Sequence, residues 1–239
     1  MTTTAFPTST PTSTPSPASG SMEKYLTQNV VLLPQTNQLR ALHTVIRDRD
    51  ASHDDFVFCS GRVIRMLIET GLGLLPFEEL PVRTPVGRTY PGLRFSPGIC
   101  GVSIARAGDS MEAGLRAVCP SIRIGKMLIQ RDKVTKLPHV YYEALPRDIA
   151  ERQVLLLDPM LATGGTALAA IGILLSKGVA ESNIVFVNLI TVPEGIAAVC
   201  ERHPLLRIVT SAIDERLNEN AYMMPGIGDF GDRYYGVQA

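Results

Sequence analysis

Four apolar residues, Val154 to Leu157, run into a single acid, Asp158, then a proline, then the adjacent pair Gly164 and Gly165, and an Ala/Leu-rich segment begins at once. In VLLLDPMLATGGTALAA the first part has strand length without polar alternation and reads as a buried strand. The middle is loop chemistry and the end is a helix. Where a short glycine loop feeds a helix, the first N–H groups lack intrahelical partners and the macrodipole adds partial positive charge, so a phosphate is the natural guest. Gly164 and Gly165 permit backbone angles and a close approach that a side chain would forbid, and the Thr163 and Thr166 hydroxyls can donate to anion oxygens. Asp158, at the strand end, is an acceptor suited to sugar hydroxyls. A bare TGGT also fits a plain strand–turn–helix connection with a capping threonine, so the surrounding pattern has to decide.

That pattern repeats. Ile99–Ala105, the strand within SIRIGKMLIQR, HVYYEAL, QVLLLD, NIVFVNLI and LRIVTSAI are strand candidates, interleaved with helix candidates in SMEAGLRAVC, TALAAIGILLSKG and PEGIAAVCERHP. Alternation of this kind predicts an α/β fold, a central, mostly parallel twisted sheet flanked by helices with right-handed crossovers. Ligands then bind beyond the carboxyl ends of the strands, where RAGDSM, DPMLATGGT and TVPEG share one rim. Upstream, TNQLRALHTVIRDRD and DDFVFCSGRVIRMLIETGL carry apolar residues at helical spacing, and Asp54 or Asp55 is placed to cap the second helix. Residues 76–98 read as a Pro/Gly-rich connection. Residues 1–21 form a Thr/Ser/Pro tail unable to offset its ordering entropy, and 22–239 read as one domain, with a hairpin arm at about 123–145.

Composition narrows the function. With 23 basic and 23 acidic residues in 239, the chain lacks the electrostatic footprint of a bulk nucleic-acid binder, and no apolar run is long enough to span a bilayer. Small polar partners are expected. The tail has neither Arg or Lys nor an apolar h-region, which makes the cytoplasm the default location. Cys59, Cys100, Cys119 and Cys200 lack metal or redox spacing and read as reduced, non-catalytic thiols. His43, His53, His139 and His203 are isolated from any acid or cysteine cluster and read as helix-surface, turn or cap residues, so no side-chain cluster for a metal is expected.

Taken together, RAGDSME, DPMLATGGT, PEGI and PGIGDFGD resemble the type I phosphoribosyltransferase family, and specifically its uracil branch, whose phosphoribosyl diphosphate loop reads DPMLATGGS. Thr166 stands where that branch has serine, and Pro159 replaces the second acid that other branches carry. The resemblance runs from about Gln35 to Gly236. It implies the type I phosphoribosyltransferase fold, with a β-hairpin arm and a C-terminal base-binding loop at about 217–236. It also implies a site in which Arg106, Arg131, Asp158, Pro159, Met160, Leu161, Ala162, Thr163, Gly164, Gly165, Thr166 and Asp229 bind the phosphoribosyl diphosphate. Uracil is expected against Met224, Gly228, Asp229 and Phe230, with Arg106, Asp158 and Asp229 as the catalytic set. Mg²⁺ is expected to arrive on the diphosphate, near Asp229. A homodimer or homotetramer, and GTP as an effector, are further properties the resemblance carries.

Alternatives remain at single residues. Arg106 also suits a pair with Asp109 or Glu112, and Arg131 a solvated charge in a turn with Asp132 and Lys133. Gly226, Gly228 and Gly231 satisfy GxGxxG, yet too little chain follows for the helix that motif needs, and this glycine density reads as a loop approaching a flat ligand. The expected reaction is transfer of a 5-phosphoribosyl group to uracil, giving UMP and diphosphate. The rivals are a phosphoribosyltransferase for another base and a catalytically silent nucleotide-binding regulator.

Overall fold

The computed structural model describes residues 29–96, 98–131 and 138–237; the tail at 1–21 and the tip of the 123–145 arm lie outside the described residues. The chain runs β1 (Val30–Leu32), α1 (Asn37–Arg47), α2 (His53–Gly73), β2 (Phe77–Arg83), β3 (Thr89–Phe95) and β4 (Ile99–Ala105). A 3₁₀ turn at Ala107–Met111 leads to α3 (Glu112–Val118), β5 (Arg123–Arg131), β6 (Pro138–Ala144), β7 (Gln153–Leu157), β8 (Met160–Leu161) and α4 (Gly165–Ser176). Then come β9 (Ile184–Val187), β10 (Ile190–Thr191), α5 (Pro193–Cys200), β11 (Arg207–Thr210), β12 (Ala212–Ile213), β13 (Arg216–Leu217), β14 (Met223–Met224) and α6 (Phe230–Tyr235).

Seven strands form the main sheet in the order β1-β11-β9-β7-β4-β5-β6. Every neighbouring pair is parallel except β5 with β6, the hairpin arm. The α/β class with a mostly parallel sheet is therefore borne out. From β4 the chain places β5 on one side and β7, β9 and β11 on the other. The gap beyond the carboxyl ends of β4 and β7 is thus a topological switch point, the position where such sheets hold ligands.

Burial explains the unbroken apolar runs. Leu155, Leu157, Val185 and Val187 pack with α1, α2 and α3 on one face, while Val154, Leu156, Ile184 and Phe186 pack with α4 and α5 on the other. A strand covered on both faces has no reason to alternate. Two expected strands prove to be broken: NIVFVNLI and LRIVTSAI each continue past a kink into a small parallel sheet of β8, β10 and β12. Buried Asn188 holds the kinks, its Nδ2 donating to the Pro159 and Ile190 carbonyls at 3.3 and 3.0 Å and its Oδ1 accepting from Thr210 Oγ1 at 2.9 Å.

Other expectations need correction. The cap of α2 is Ser52, which accepts the Asp55 N–H at 3.1 Å and donates to Asp55 Oδ2 at 2.7 Å, so Asp55 answers the cap and Asp54 does not make it. Residues 77–95 are not a plain connection but a two-stranded antiparallel ribbon in which Pro81 faces Pro91. Among the described residues both strands of the ribbon are edge strands, where proline is tolerated, which is why this composition hid it. His43 is buried, bonded through Nε2 to Ser211 Oγ at 3.0 Å. Burial holds its pKa down at about 4, with Arg47 adding to the shift, so it stays neutral. His139 lies in β6, the strand expected for HVYYEAL.

At the entrance to α5, backbone meets backbone: a Cβ on Gly195 would stand 2.5 Å from the Ala162 carbonyl oxygen and 2.7 Å from that of Leu161. Gly195→Ala is expected to lower stability by about 1–3 kcal/mol, because main chain cannot give way as a side chain can. Thermal denaturation checks it, and an unchanged melting temperature would show that the 158–166 loop is not pinned by this contact.

Candidate active site

Asp158 closes β7 and is buried, with the Met160 N–H donating to its Oδ1 at 3.3 Å. One hydrogen bond does not compensate a buried carboxylate, and desolvation raises its pKa to about 7. After β8 the chain turns through Gly164 at φ +80°, the N-cap of α4, which offers no side-chain cap to the helix. Asp158 and Met160 through Ala167 surround a small pocket of about 70 Å³. Of the expected stretch from Asp158 to Thr166, Pro159 alone is missing from that lining, and Arg106 and Asp229, also expected to hold the donor, do not border it either. The Pro159 carbonyl accepts the Leu189 and Ile190 N–H groups at 2.9 and 3.0 Å, so its work is to join β8 to β10.

A second pocket, of about 360 Å³, shares Met160 and Ala162 with the first and is otherwise lined by residues 221–230. Met224, Gly228, Asp229 and Phe230 all border it. Phe230, however, is 1% exposed, and its ring packs at 5.5 Å centroid distance from both Phe56 and Tyr234, so the ring belongs to the core and is not a face offered to a ligand. Gly226 and Gly228 take φ of +70° and +76°, and the Met224–Pro225 peptide is cis.

The loop is anchored by residues that sequence reasoning passed over. Arg47 Nη2 lies 2.6 Å from Asp214 Oδ1, Asp214 Oδ2 accepts the Gly226 N–H at 2.8 Å, and Arg47 Nη1 donates to the Gly226 carbonyl at 3.1 Å. Arg233 lies 4.1 Å over the Phe56 ring and donates to the carbonyls of Ile46, Ile227 and Asp48 at 2.6, 2.9 and 2.6 Å. The N-terminal helices thus brace the far end of the chain. A helix does follow the glycine run, contrary to expectation: α6 is only six residues long, capped by Asp229, whose Oδ1 accepts the Asp232 N–H at 2.8 Å.

The third component follows β4. Arg106, joined to Ala105 by a cis peptide, is half-exposed. Its guanidinium pairs with Asp232 and stands 3.9 Å from Asp229 Oδ1. Asp109 and Glu112, its alternative partners on sequence grounds, are taken by Lys126 at 3.3 and 3.1 Å and by Ser103 Oγ at 3.1 and 2.6 Å. A Cβ on Gly108 would fall 2.3 Å from the Leu157 carbonyl oxygen, so this loop lies directly against the residue before Asp158. Arg131 ends β5, and its side chain lies outside the described residues. Cys59, Cys100 and Cys200 are buried free thiols and Cys119 is half-buried.

A family model described as uracil phosphoribosyltransferase matches residues 33–237. The chain belongs to that family. A uracil phosphoribosyltransferase of Dictyostelium discoideum is 56% identical over 88% of this chain and 98% of its own length. One from Saccharomyces cerevisiae is 54% identical over 88% and 97%. Among solved structures, the AQ2163 protein from Aquifex aeolicus matches with a TM-score of 0.77 at 32% identity, over 88% of this chain and 99% of that one. Within the uracil phosphoribosyltransferase frame, DPMLATGGT, all but its proline, lines the smaller pocket and PGIGDF borders the larger.

The raised pKa of Asp158 has a measurable sign. The folded state holds this proton more tightly than the unfolded chain does. The associated stability is fully present below the ordinary carboxyl value and is lost as pH rises through about 7. Asp158→Asn removes the loss, so its stability advantage over wild type should grow between pH 4 and 7 and then level at about 2–4 kcal/mol. Denaturant titrations at several pH values check this; a pH-independent difference would refute the buried ionisation.

Proposed function

We propose that the chain transfers the 5-phosphoribosyl group from 5-phospho-α-D-ribose 1-diphosphate to N1 of uracil, giving UMP and diphosphate in pyrimidine salvage. The observation that carries this reading is the pair of pockets meeting at Met160 and Ala162, with the Arg106 guanidinium 3.9 Å from Asp229 at the border of the larger one. One pocket has the anion-holding geometry of a helix entrance, and the other is bordered by main chain able to match the donor and acceptor edge of a pyrimidine.

In this scheme the amides and hydroxyls of the Ala162–Thr166 loop anchor the 5-phosphate and Asp158 accepts from the ribose hydroxyls. As the bond from C1 of the ribose to the diphosphate oxygen breaks, negative charge grows on the leaving group. Arg106, with Arg131 from the arm, stabilises it, and positioning of N1 over C1 supplies the rest. The main chain of Gly228 and Phe230 and the side chain of Met224 hold the uracil. The N1 proton needs an acceptor, and Asp229, exposed at the border of the base pocket, is the carboxylate in reach. Hard carboxylate oxygens beside an expected diphosphate suit Mg²⁺, which takes one or two carboxylates together with substrate phosphates. Asp229 would hold it, and the ion would neutralise charge on the leaving group.

The family resemblance extends the proposal to a homodimer or homotetramer and to activation by GTP. Among the described residues no helix is long and apolar enough to cross a membrane, and the cytoplasm is the proposed compartment.

Diphosphate release with uracil, compared with cytosine and hypoxanthine, tests the assignment; release with hypoxanthine alone, or with no base while UMP still binds, would replace it. Arg106→Ala is expected to lower kcat about 100-fold. Gly164→Val should abolish donor binding, since its Cβ would stand 3.1 Å from that of Ala198 at a positive φ. Unchanged donor affinity, read by calorimetry, would remove the loop from the site.

A further inference from the structure

The C-terminal helix reaches across the crevice to the cation assigned to the leaving group. Asp232 pairs with the Arg106 guanidinium, and the Tyr235 hydroxyl donates to the Arg106 carbonyl at 3.1 Å. The Tyr235 ring centroid lies 5.8 Å from the guanidinium carbon. The helix is also open where the arginine lies against it: a Cβ on Gly231 would stand 3.0 Å from Arg106 Nη2 and 3.2 Å from Nε. The Arg106 side chain is 50% exposed and that of Asp232 33%, so neither needs the other to offset burial. An exposed pair contributes little to stability. What it does is set a carboxylate on a guanidinium whose fork donates to carboxylate and phosphate oxygens alike.

We propose that Asp232 is a positioning residue for the transfer, an internal rival of the diphosphate for Arg106. It holds the guanidinium at the mouth of the crevice before the donor arrives, yields it to the diphosphate, and recaptures it as the product departs. The inference rests on the assignment of Arg106 to the diphosphate. Because the Asp232 N–H is bonded to Asp229, which borders the base pocket, the exchange takes place in the turn that also frames the acceptor. A rival of this kind keeps the arginine placed without letting it retain the leaving group.

The experiment is calorimetric titration of the full chain with inorganic diphosphate and magnesium, for wild type, Asp232→Asn, Asp232→Ser, Asp232→Glu and Arg106→Ala, with melting temperatures confirming that each is folded. The inference expects Asp232→Asn and Asp232→Ser to bind diphosphate about fivefold more tightly than wild type, the scale of one exposed ion pair. Asp232→Glu should return to the wild-type affinity and Arg106→Ala should lose binding. A residue that only supported the fold would weaken binding when replaced, so the direction of the change is diagnostic. Unchanged or weaker binding in both Asp232→Asn and Asp232→Ser, with binding lost in Arg106→Ala, overturns the role of Asp232. Wild-type affinity in Arg106→Ala instead overturns the assignment of Arg106, independently of what the Asp232 variants do.

Discussion

The crevice exists because main chain lies against main chain at two points where a side chain would intrude. Gly108 puts the loop after β4 on the Leu157 carbonyl, and Gly195 puts the start of α5 on the carbonyls of Leu161 and Ala162. These contacts hold the chain on either side of Asp158–Met160, and the residues that follow line one small pocket at the entrance of α4. Preorganised dipoles at a helix entrance need no rearrangement when charge arrives, which is the condition under which they stabilise it best. The closeness also accounts for Asp158. Packed between β4 and β9 at the end of a strand covered on both faces, it receives one amide and little water, and its carboxyl is held near neutrality.

The acceptor side rests on a different device. Asp214 is 3% exposed and Arg47 24%, and the pair reaches from α1 to the turn at Gly226. Removing Arg47 leaves the buried Asp214 carboxylate without its countercharge, at a cost of up to about 3–5 kcal/mol. Arg233 completes the brace from the opposite end, lying on Phe56 of α2 and on three carbonyls. The two amphipathic helices near the start of the described chain are therefore part of how the pocket lined by residues 221–230 keeps its shape.

The sequence disclosed what is local and periodic. Alternating apolar runs announced the sheet, and the apolar stretch ending in Asp158 with Gly164 and Gly165 beyond it announced the small pocket at the entrance of α4. Both signals lie within a few residues of one another, where strand and helix periods and glycine conformations act. Long-range pairings left no such trace: Arg47 and Asp214 lie 167 residues apart, and neither has a local pattern that names the other. Asn188 looked like one polar residue in an apolar strand, although it breaks that strand and ties three together. Helix α6 was missed because six residues are too few to persist alone; the Asp229 cap and the burial of the Phe230 ring sustain it.

The two pockets have only Met160 and Ala162 in common. Under the proposed assignment, donor recognition lies in the middle of the chain and base recognition in its last stretch, with a thin partition between them. An ancestor could exchange one nucleobase for another by rewriting about ten residues near the C-terminus while inheriting its sugar-phosphate grip intact. The same rewriting would also touch Asp229 and border on Asp232, so a change of base would put at risk the carboxylates that face Arg106.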